Sequence, residues 1–322
     1  MQKFECLDIE TIRRGTRLYV LSIAFTRGKK VYYNYSLSHE ENILYFLKNA
    51  TSQTYFVHNL TFDGLVMLES LLKFTVNFEW LCIKRWIFFI KFTFENKRII
   101  LKCTFKLLPF SLSQLASSLL NKKKLIFPYG ILGENLKKIM IMERSYFKDN
   151  AEFIQFIREY GYRIDTEALI KKYNINDVII TKQIIQLFFK ALKTINYCSK
   201  NRIVSIASIS INFFFQQKTA VQKYLAQADD RVLREAYYGG RCEVFGNPFP
   251  DEQIVYYDYS GMYASCMKQE VPSGEFYYEY RPASTKRAGY YSIKFKSNLS
   301  IPVLPHKASK LFFLNGEQAG LF

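Results

Sequence analysis

What the 322 residues lack narrows the field first. No apolar run approaches the roughly 20 residues needed to cross a bilayer, so a membrane-spanning protein is not expected. The opening MQKFECLDIE has neither a signal-peptide core nor an Arg/Ser-rich, acid-poor leader, which points to a soluble, non-secreted chain with nothing to cleave. Cysteine is sparse: Cys6, Cys82, Cys103, Cys198, Cys242 and Cys266 form no CxxC pair, and the 3 histidines make no zinc-like spacing with them. A disulfide framework and a zinc module are therefore both disfavoured, and reduced, mostly buried thiols are expected. Gly (14) and Pro (8) fall below their usual shares of about 7% and 5%. No internal repeat or low-complexity tract interrupts the chain.

What is abundant is aromatic and basic. Phe (29) and Tyr (24) accompany many Lys, Ile and Asn, residues of A/T-rich codons, so composition partly reports a genome. The formal net charge of +17 suits a polyanionic partner or an anionic surface, because neutralising phosphates releases condensed counterions. Codon bias supplies some of those lysines, so charge alone favours nucleic acid without establishing it. The length allows about two domains with a well-buried core.

Periodicity predicts an α/β first half. Short alternating or β-rich runs at Phe4–Asp8, Arg17–Thr26 and Lys30–Leu37 read as neighbouring strands, followed by a helix over Glu40–Lys48. A strand at Thr54–His58, a helix at Phe62–Phe74 and a hairpin of Arg85–Phe94 with Lys97–Phe105 around Glu95-Asn96 come next. Helical spacing returns at Ser111–Leu120 and Thr166–Leu192, and the polar stretch after it places a domain boundary near 195. Beyond lie a helical stretch, Ile203–Ala228, a glycine pair, and β-like runs at Gln253–Asp258 and Gly289–Phe295.

Several acidic residues stand where metal chemistry could use them. Asp8-Ile9-Glu10 ends an apolar strand; alternate strand residues share a face, which puts the two carboxylates about 7 Å apart on one side. A D-x-E of this kind arises by chance on the order of once in a protein this size. Two further elements change its weight. Asn59-Leu60-Thr61-Phe62-Asp63 follows another strand, and Tyr173-Asn174-Ile175-Asn176-Asp177 lies in a helical region. There Tyr173 and Asp177, four residues apart, share a helix face, so a phenol can orient water beside a carboxylate.

In this order the three segments resemble the exonuclease motifs of family B DNA polymerases, written DxE, Nx(2–3)F/YD and Yx3D. The resemblance implies a ribonuclease-H-like 3′–5′ exonuclease domain over 1–195. It also implies that Asp8, Glu10, Asp63 and Asp177 bind two Mg²⁺ or Mn²⁺ ions, with Tyr173 positioning the attacking water. Asn59 and Phe62 resemble the family's ligands of a single-stranded 3′ end. Ser111-Leu112 and Lys124 fit the S/T-L-x2-hydrophobic and K-x2-hydrophobic motifs of protein-primed members, although Ser111 also reads as a helix N-cap and Lys124 as one of a solvated lysine run.

The second half carries two more likenesses. Tyr237-Tyr238-Gly239-Gly240-Arg241 resembles the YxGG motif that lies between exonuclease and polymerase domains and contacts the template. Asp258 through Ser265 resembles polymerase motif A, D-x2-S-L-Y-P-S, with Gly261, Met262 and Ala264 replacing its Ser, Leu and Pro. By that resemblance Asp258 holds the catalytic metals of synthesis, and Tyr263 lies under the incoming sugar as the gate against ribonucleotides. No motif B lysine and no YxDTDS follow.

The expectation is thus a protein-primed family B polymerase truncated within its palm, with 196–322 forming the first part of the polymerase domain. Expected partners are a single-stranded 3′ end and primer-template DNA, dNTPs if the chain is completed, and a terminal protein and a C-terminal polymerase half. A mitochondrial genome or linear plasmid, or alternatively a cytoplasmic plasmid or virus, fits the composition. A competing expectation is a non-catalytic DNA-binding remnant.

Overall fold

The computed structural model describes residues 4–133, 135–197, 203–217, 227–242, 253, 255–269, 290–307 and 311–321. It divides into two compact units, Met1–Ala220 and Val221–Phe322.

The first unit is built on one seven-stranded sheet. Its elements run β1 (Phe4–Arg14), β2 (Arg17–Arg27), β3 (Lys30–Tyr35), α1 (His39–Asn49), β4 (Thr54–Val57), α2 (Leu60–Phe74), β5 (Val76–Ile83), β6 (Trp86–Phe94) and β7 (Lys97–Cys103). Then come α3 (Leu112–Leu120), β8 (Ile139–Ile141), α4 (Asn150–Tyr160), β9 (Arg163–Asp165), α5 (Thr166–Thr194) and α6 (Ile206–Gln217). The large sheet has the order β3-β2-β1-β4-β7-β6-β5. Strands β1, β4 and β7 are parallel to one another, and the outer pairs are antiparallel hairpins. This is a mixed α/β fold of the ribonuclease-H-like kind, as the first half of the sequence leads one to expect.

Alternation along β1 decides what lies on each side of the sheet. Leu7 and Ile9 point to the face covered by α1 and α2, where they join Ile43, Phe46, Leu47, Leu60 and Met67. Phe4 and Cys6 point to the other face and pack with Val178 and Ile185 of α5. Burying a side chain such as Phe46 completely is worth about 2–3 kcal/mol of transfer free energy. Asp8 and Glu10 continue the parity of Cys6 and so face α5; β1 does not end at Asp8 as expected but runs on to Arg14, so both lie mid-strand, just past the stretch where β1 and β4 pair from Phe4↔Thr54 to Leu7↔Val57. Across the β1–β2 ladder Glu10 is paired with Ser22, and the register shifts immediately beyond.

Helix α5 is the long element that spans this face. Asp165 caps its start, its side chain accepting the backbone N–H of Ala168 at 3.0 Å. Glu5 anchors the helix to β1: its carboxylate takes a hydrogen bond from the Lys182 ammonium at 2.6 Å, and Lys182 donates also to the carbonyl of Gly28.

The first unit continues past residue 195, because Ile203 and Ile209 are buried in the same cluster as Phe4 and Phe56. Four elements of the first unit, β5, β8, α4 and β9, occupy segments where no element is expected from periodicity.

In the second unit the structure contains α7 (Gln227–Glu235), a short α8 (Met262–Cys266), β10 (Ser292–Ser297) paired with β13 (Gly316–Leu321), and β11 (His306–Lys307) paired with β12 (Leu311–Phe312). The strand expected over Gln253–Asp258 does not form among the described residues of that segment, which carry no regular secondary structure and are exposed. A run of tyrosines with no buried face has no sheet to join. Of the expected helix Ile203–Ala228, residues 218–226 lie outside the described residues.

Candidate metal centre

Three carboxylates converge on the α5 face of the sheet. Asp8, Glu10 and Asp177 each offer an oxygen, and these oxygens lie within 4.8 Å of one another. Two come from alternate positions of β1 and the third from the fourth turn of α5. Asp63, in the first turn of α2, is 5% exposed and lies close enough for Asp8 to act on it electrostatically. Glu10 and Asp177 are buried, while Asp8 keeps partial access to solvent.

Gathering these charges away from water is unfavourable without a counter-ion, and their proton affinities record it. Burial, then the negative charge of Asp177, pushes Asp8 up to about 7, against opposing contributions from Lys124 and the hydrogen bond of Asn174. Glu10 is raised well above the ordinary carboxylate range by burial and then by Asp8 and Asp177. Asp63 is raised by burial and then by Asp8. Asp177 is raised by burial, with the Lys124 ammonium working against it.

One cation already attends the group. The Lys124 ammonium stands 2.8 Å from Asp177 Oδ2 and 4.9 Å from the centre of the Tyr173 ring. The other oxygen, Asp177 Oδ1, is buried and takes no hydrogen bond. An orphaned carboxylate oxygen beside two more carboxylates fits a hard divalent cation, which prefers oxygen ligands and offsets the charge that Lys124 leaves uncompensated.

Tyr173 lies on the same side of α5 as Asp177. Its hydroxyl meets that of Tyr129 at 2.5 Å, and its ring packs against Phe127 at 4.5 Å between centroids. Burial and the charge of Asp177 hold its phenol well above the ordinary range, so it stays protonated and can donate.

Around the mouth, Asn59 adopts a left-handed backbone (φ 61°) just before α2 and is exposed, without a capping hydrogen bond of its own. Phe62, 43% exposed, follows in the first turn. His58, between β4 and that turn, has its imidazole lowered to about 4 by burial and then by Lys124, and shares a 2.9 Å hydrogen bond with Thr104. Ser111 caps α3 in a full capping box with Gln114, and Leu112 is buried between α3 and α5 with Leu115 and Ile184.

Three residues of this centre carry no expectation from the sequence: Asn174, Ser22 and Tyr129. Asn174 is fully buried and donates to Asp8 Oδ2 at 2.7 Å. A buried amide three residues before Asp177, on a helix whose other inward residues are mostly apolar, is a signal that periodicity carries. Tyr129 offers no such signal, since it follows a proline in an irregular segment.

The second-unit residues stand differently. Asp258 is exposed, and Tyr237 and Tyr263 are 78% and 68% exposed. Gly261 adopts φ 66° at the start of α8, a backbone that explains why glycine stands there in place of serine. A Cβ on Gly240 would come within 3.4 Å of the Tyr263 hydroxyl, so these two likenesses lie side by side. Arg241 stacks on Phe313 at 4.0 Å and donates to the carbonyl of Pro302. Gly239 is exposed.

Comparison with known proteins adds three findings. A family model described as DNA polymerase type B, organellar and viral, matches residues 46–322. A probable DNA polymerase of Ascobolus immersus is 24% identical over 305 residues, covering 85% of this chain and 25% of that protein. Phi29 DNA polymerase complexed with primer-template DNA, in a post-translocation binary complex, matches with a TM-score of 0.50 at 18% identity, over 75% of this chain and 40% of that one. The structural likeness is one of fold, and the chain spans a quarter of the length of the Ascobolus relative. No helix among the described residues is long and apolar enough to cross a membrane.

Proposed function

This chain belongs to the organellar and viral type B DNA polymerases, and from that premise we propose that its first unit is a divalent-metal-dependent 3′–5′ exonuclease acting on single-stranded DNA ends. The observation that carries the reading is the meeting of Asp8, Glu10 and Asp177 within 4.8 Å, with one buried oxygen of Asp177 unbonded. These residues, with Asp63, would hold Mg²⁺ or Mn²⁺. When bound, two such ions supply charge neutralisation on the entering and leaving oxygens of an in-line phosphodiester hydrolysis.

The chain's own groups do the rest. Tyr173, kept protonated and braced by Phe127 and Tyr129, directs the attacking water. Lys124 places a positive charge beside Asp177, where a scissile phosphate brings negative charge. Asn59 and Phe62 are exposed at the start of α2, one turn from Asp63, and suit the sugar and base of a terminal nucleotide. Ser111 supports the strand path through the position of α3, and Leu112 through packing.

For the second unit, Val221–Phe322, we propose the beginning of a protein-primed polymerase domain, in which Tyr237, Gly239, Gly240 and Arg241 meet the template. Asp258 is a metal ligand for synthesis there, and Tyr263 selects the deoxyribose. Synthesis then requires motifs B and C from further chain or a second polypeptide, with dNTPs, primer-template and a terminal protein as partners. The organellar and viral family and the A/T-rich composition favour a mitochondrial or plasmid origin.

The test offers purified protein a 5′-labelled single strand with Mg²⁺, and separately a primer-template with dNTPs. Stepwise shortening from the 3′ end, lost in Asp8→Ala, is expected. No shortening with any divalent metal, alongside binding that weakens steeply with salt, identifies a non-catalytic DNA-binding protein instead.

A further inference from the structure

The carboxylates of the candidate centre are held by more than their own elements. Asn174 sits on α5 between Tyr173 and Asp177 and has no exposed surface. Its Nδ2 donates to Asp8 Oδ2 at 2.7 Å, and its Oδ1 accepts from the Ser22 hydroxyl at 3.3 Å. Because an ionised carboxylate only accepts, the amide must turn its NH₂ toward Asp8, and the Ser22 hydroxyl then satisfies the remaining oxygen. Ser22 is the cross-strand partner of Glu10. One amide therefore links the helix that carries Asp177 to the strand that carries Asp8 and to the residue opposite Glu10.

We propose that Asn174, anchored by Ser22, is a positioning residue that fixes the rotation of the Asp8 carboxylate for metal binding. A carboxylate's last torsion is broad and roughly two-fold, so without a donor it samples orientations that a cation cannot use. A buried amide that served packing alone would be satisfied by any backbone group. Here one end is spent on Asp8, itself a candidate metal ligand, and the other on the residue opposite Glu10. Partners of this kind set ligand orientation, and losing them weakens metal affinity by roughly 10–100-fold. The inference rests on the exonuclease reading, and the measurement below separates the two.

Mn²⁺ affinity of the full chain is measured by electron paramagnetic resonance for the wild type, Asn174→Leu, Ser22→Ala and Asp8→Ala, with thermal unfolding in chelator alongside. Asn174→Leu keeps the branched side-chain skeleton and removes both hydrogen bonds. It is expected to bind Mn²⁺ roughly 10–100-fold more weakly, to bind single-stranded DNA as tightly as wild type without metal, and to recover digestion when Mn²⁺ is raised. Ser22→Ala removes only the anchor and is expected to weaken Mn²⁺ by about five-fold, which keeps the idea testable should Asn174→Leu not fold. Asp8→Ala is expected to lose the site at any Mn²⁺ concentration. Mn²⁺ affinity in folded Asn174→Leu and Ser22→Ala within about twofold of wild type, whatever happens to thermal stability, overturns the positioning role while Asp8→Ala still tests the centre. Absence of both Mn²⁺ binding and digestion in the wild type instead overturns the exonuclease reading.

Discussion

The two compact units present their acidic residues in opposite ways. In the first, Asp177 is 3% exposed and meets Asp8 and Glu10, with Lys124 paired to Asp177 and Asn174 bonded to Asp8, while Asp63, 5% exposed, lies within electrostatic reach of Asp8. In the second, Asp258 stands exposed among Tyr256, Tyr257 and Tyr259, each at least 80% exposed. The first arrangement costs folding free energy that only a cation or a set of protons can offset. The second costs nothing, because water solvates the carboxylate. A carboxylate cluster that strains its own scaffold is assembled within its unit, whereas an exposed aspartate strains nothing and gathers no partner carboxylates among the described residues.

The largest expected contrast lies in packing. Phe25 has no exposed surface and meets Phe46, Tyr55 and Tyr32, so Phe25→Ala should destabilise the first unit by about 3–5 kcal/mol in denaturant unfolding. Tyr256→Ala, at a position 89% exposed, should stay within about 0.5 kcal/mol of wild type. A similar loss at both positions would erase the difference between the units.

Next is catalysis. Asp177→Ala should slow digestion of a single strand by more than roughly 100-fold, since removing a ligand exceeds the effect of losing one of its partners. Asp258→Ala should leave digestion unchanged. Single-turnover rates at saturating Mg²⁺ decide it, and a deficit in Asp258→Ala would show that the exonuclease centre depends on the second unit.

The pH dependence of stability is expected to be smaller but diagnostic. In chelator, Asp8, Glu10, Asp63 and Asp177 bind protons more tightly folded than unfolded, so their contribution is present at low pH and lost as pH rises through the range that includes about 7 for Asp8. The melting temperature should therefore fall by at least roughly 3 °C between pH 5.5 and 8. With Mn²⁺ present the trend should reverse, because the ion binds the deprotonated ligands. A flat profile in chelator would mean that the acids are not crowded.

Much of the first unit was legible in sequence because the polarity along its strands is clear. Alternation puts Asp8 and Glu10 on one face of the strand expected over Phe4–Asp8, which the structure extends to Arg14, and helical spacing over Thr166–Leu192 places Tyr173 and Asp177 together. Strand β5 escaped because Asn77 and Glu79 break its apolar pattern on an edge that water covers. Helix α4 carried a readable start in Asp149, whose side chain accepts the N–H of Glu152, followed by Phe153, Phe156 and Ile157. The meeting of Lys124 with Asp177 was not legible, because irregular backbone brings the lysine in and no periodicity governs it. The tyrosine run before Asp258 looked like a strand on composition alone, yet β propensity mostly reports fit to a half-buried surface that this segment lacks.

The smallest effect concerns Ser111. Its capping box at α3 predicts a loss of about 1 kcal/mol in Ser111→Ala with digestion little changed. A large fall in affinity for single-stranded DNA at wild-type stability would instead make the hydroxyl a direct ligand.

The most direct test is to crystallise the chain, soak it with Mn²⁺ and record anomalous scattering at the manganese edge. A peak enclosed by Asp8, Glu10 and Asp177 is expected, and it should vanish in crystals of Asp8→Ala. Manganese found only elsewhere on the surface, with these three carboxylates protonated and hydrogen-bonded to one another, would contradict a metal centre.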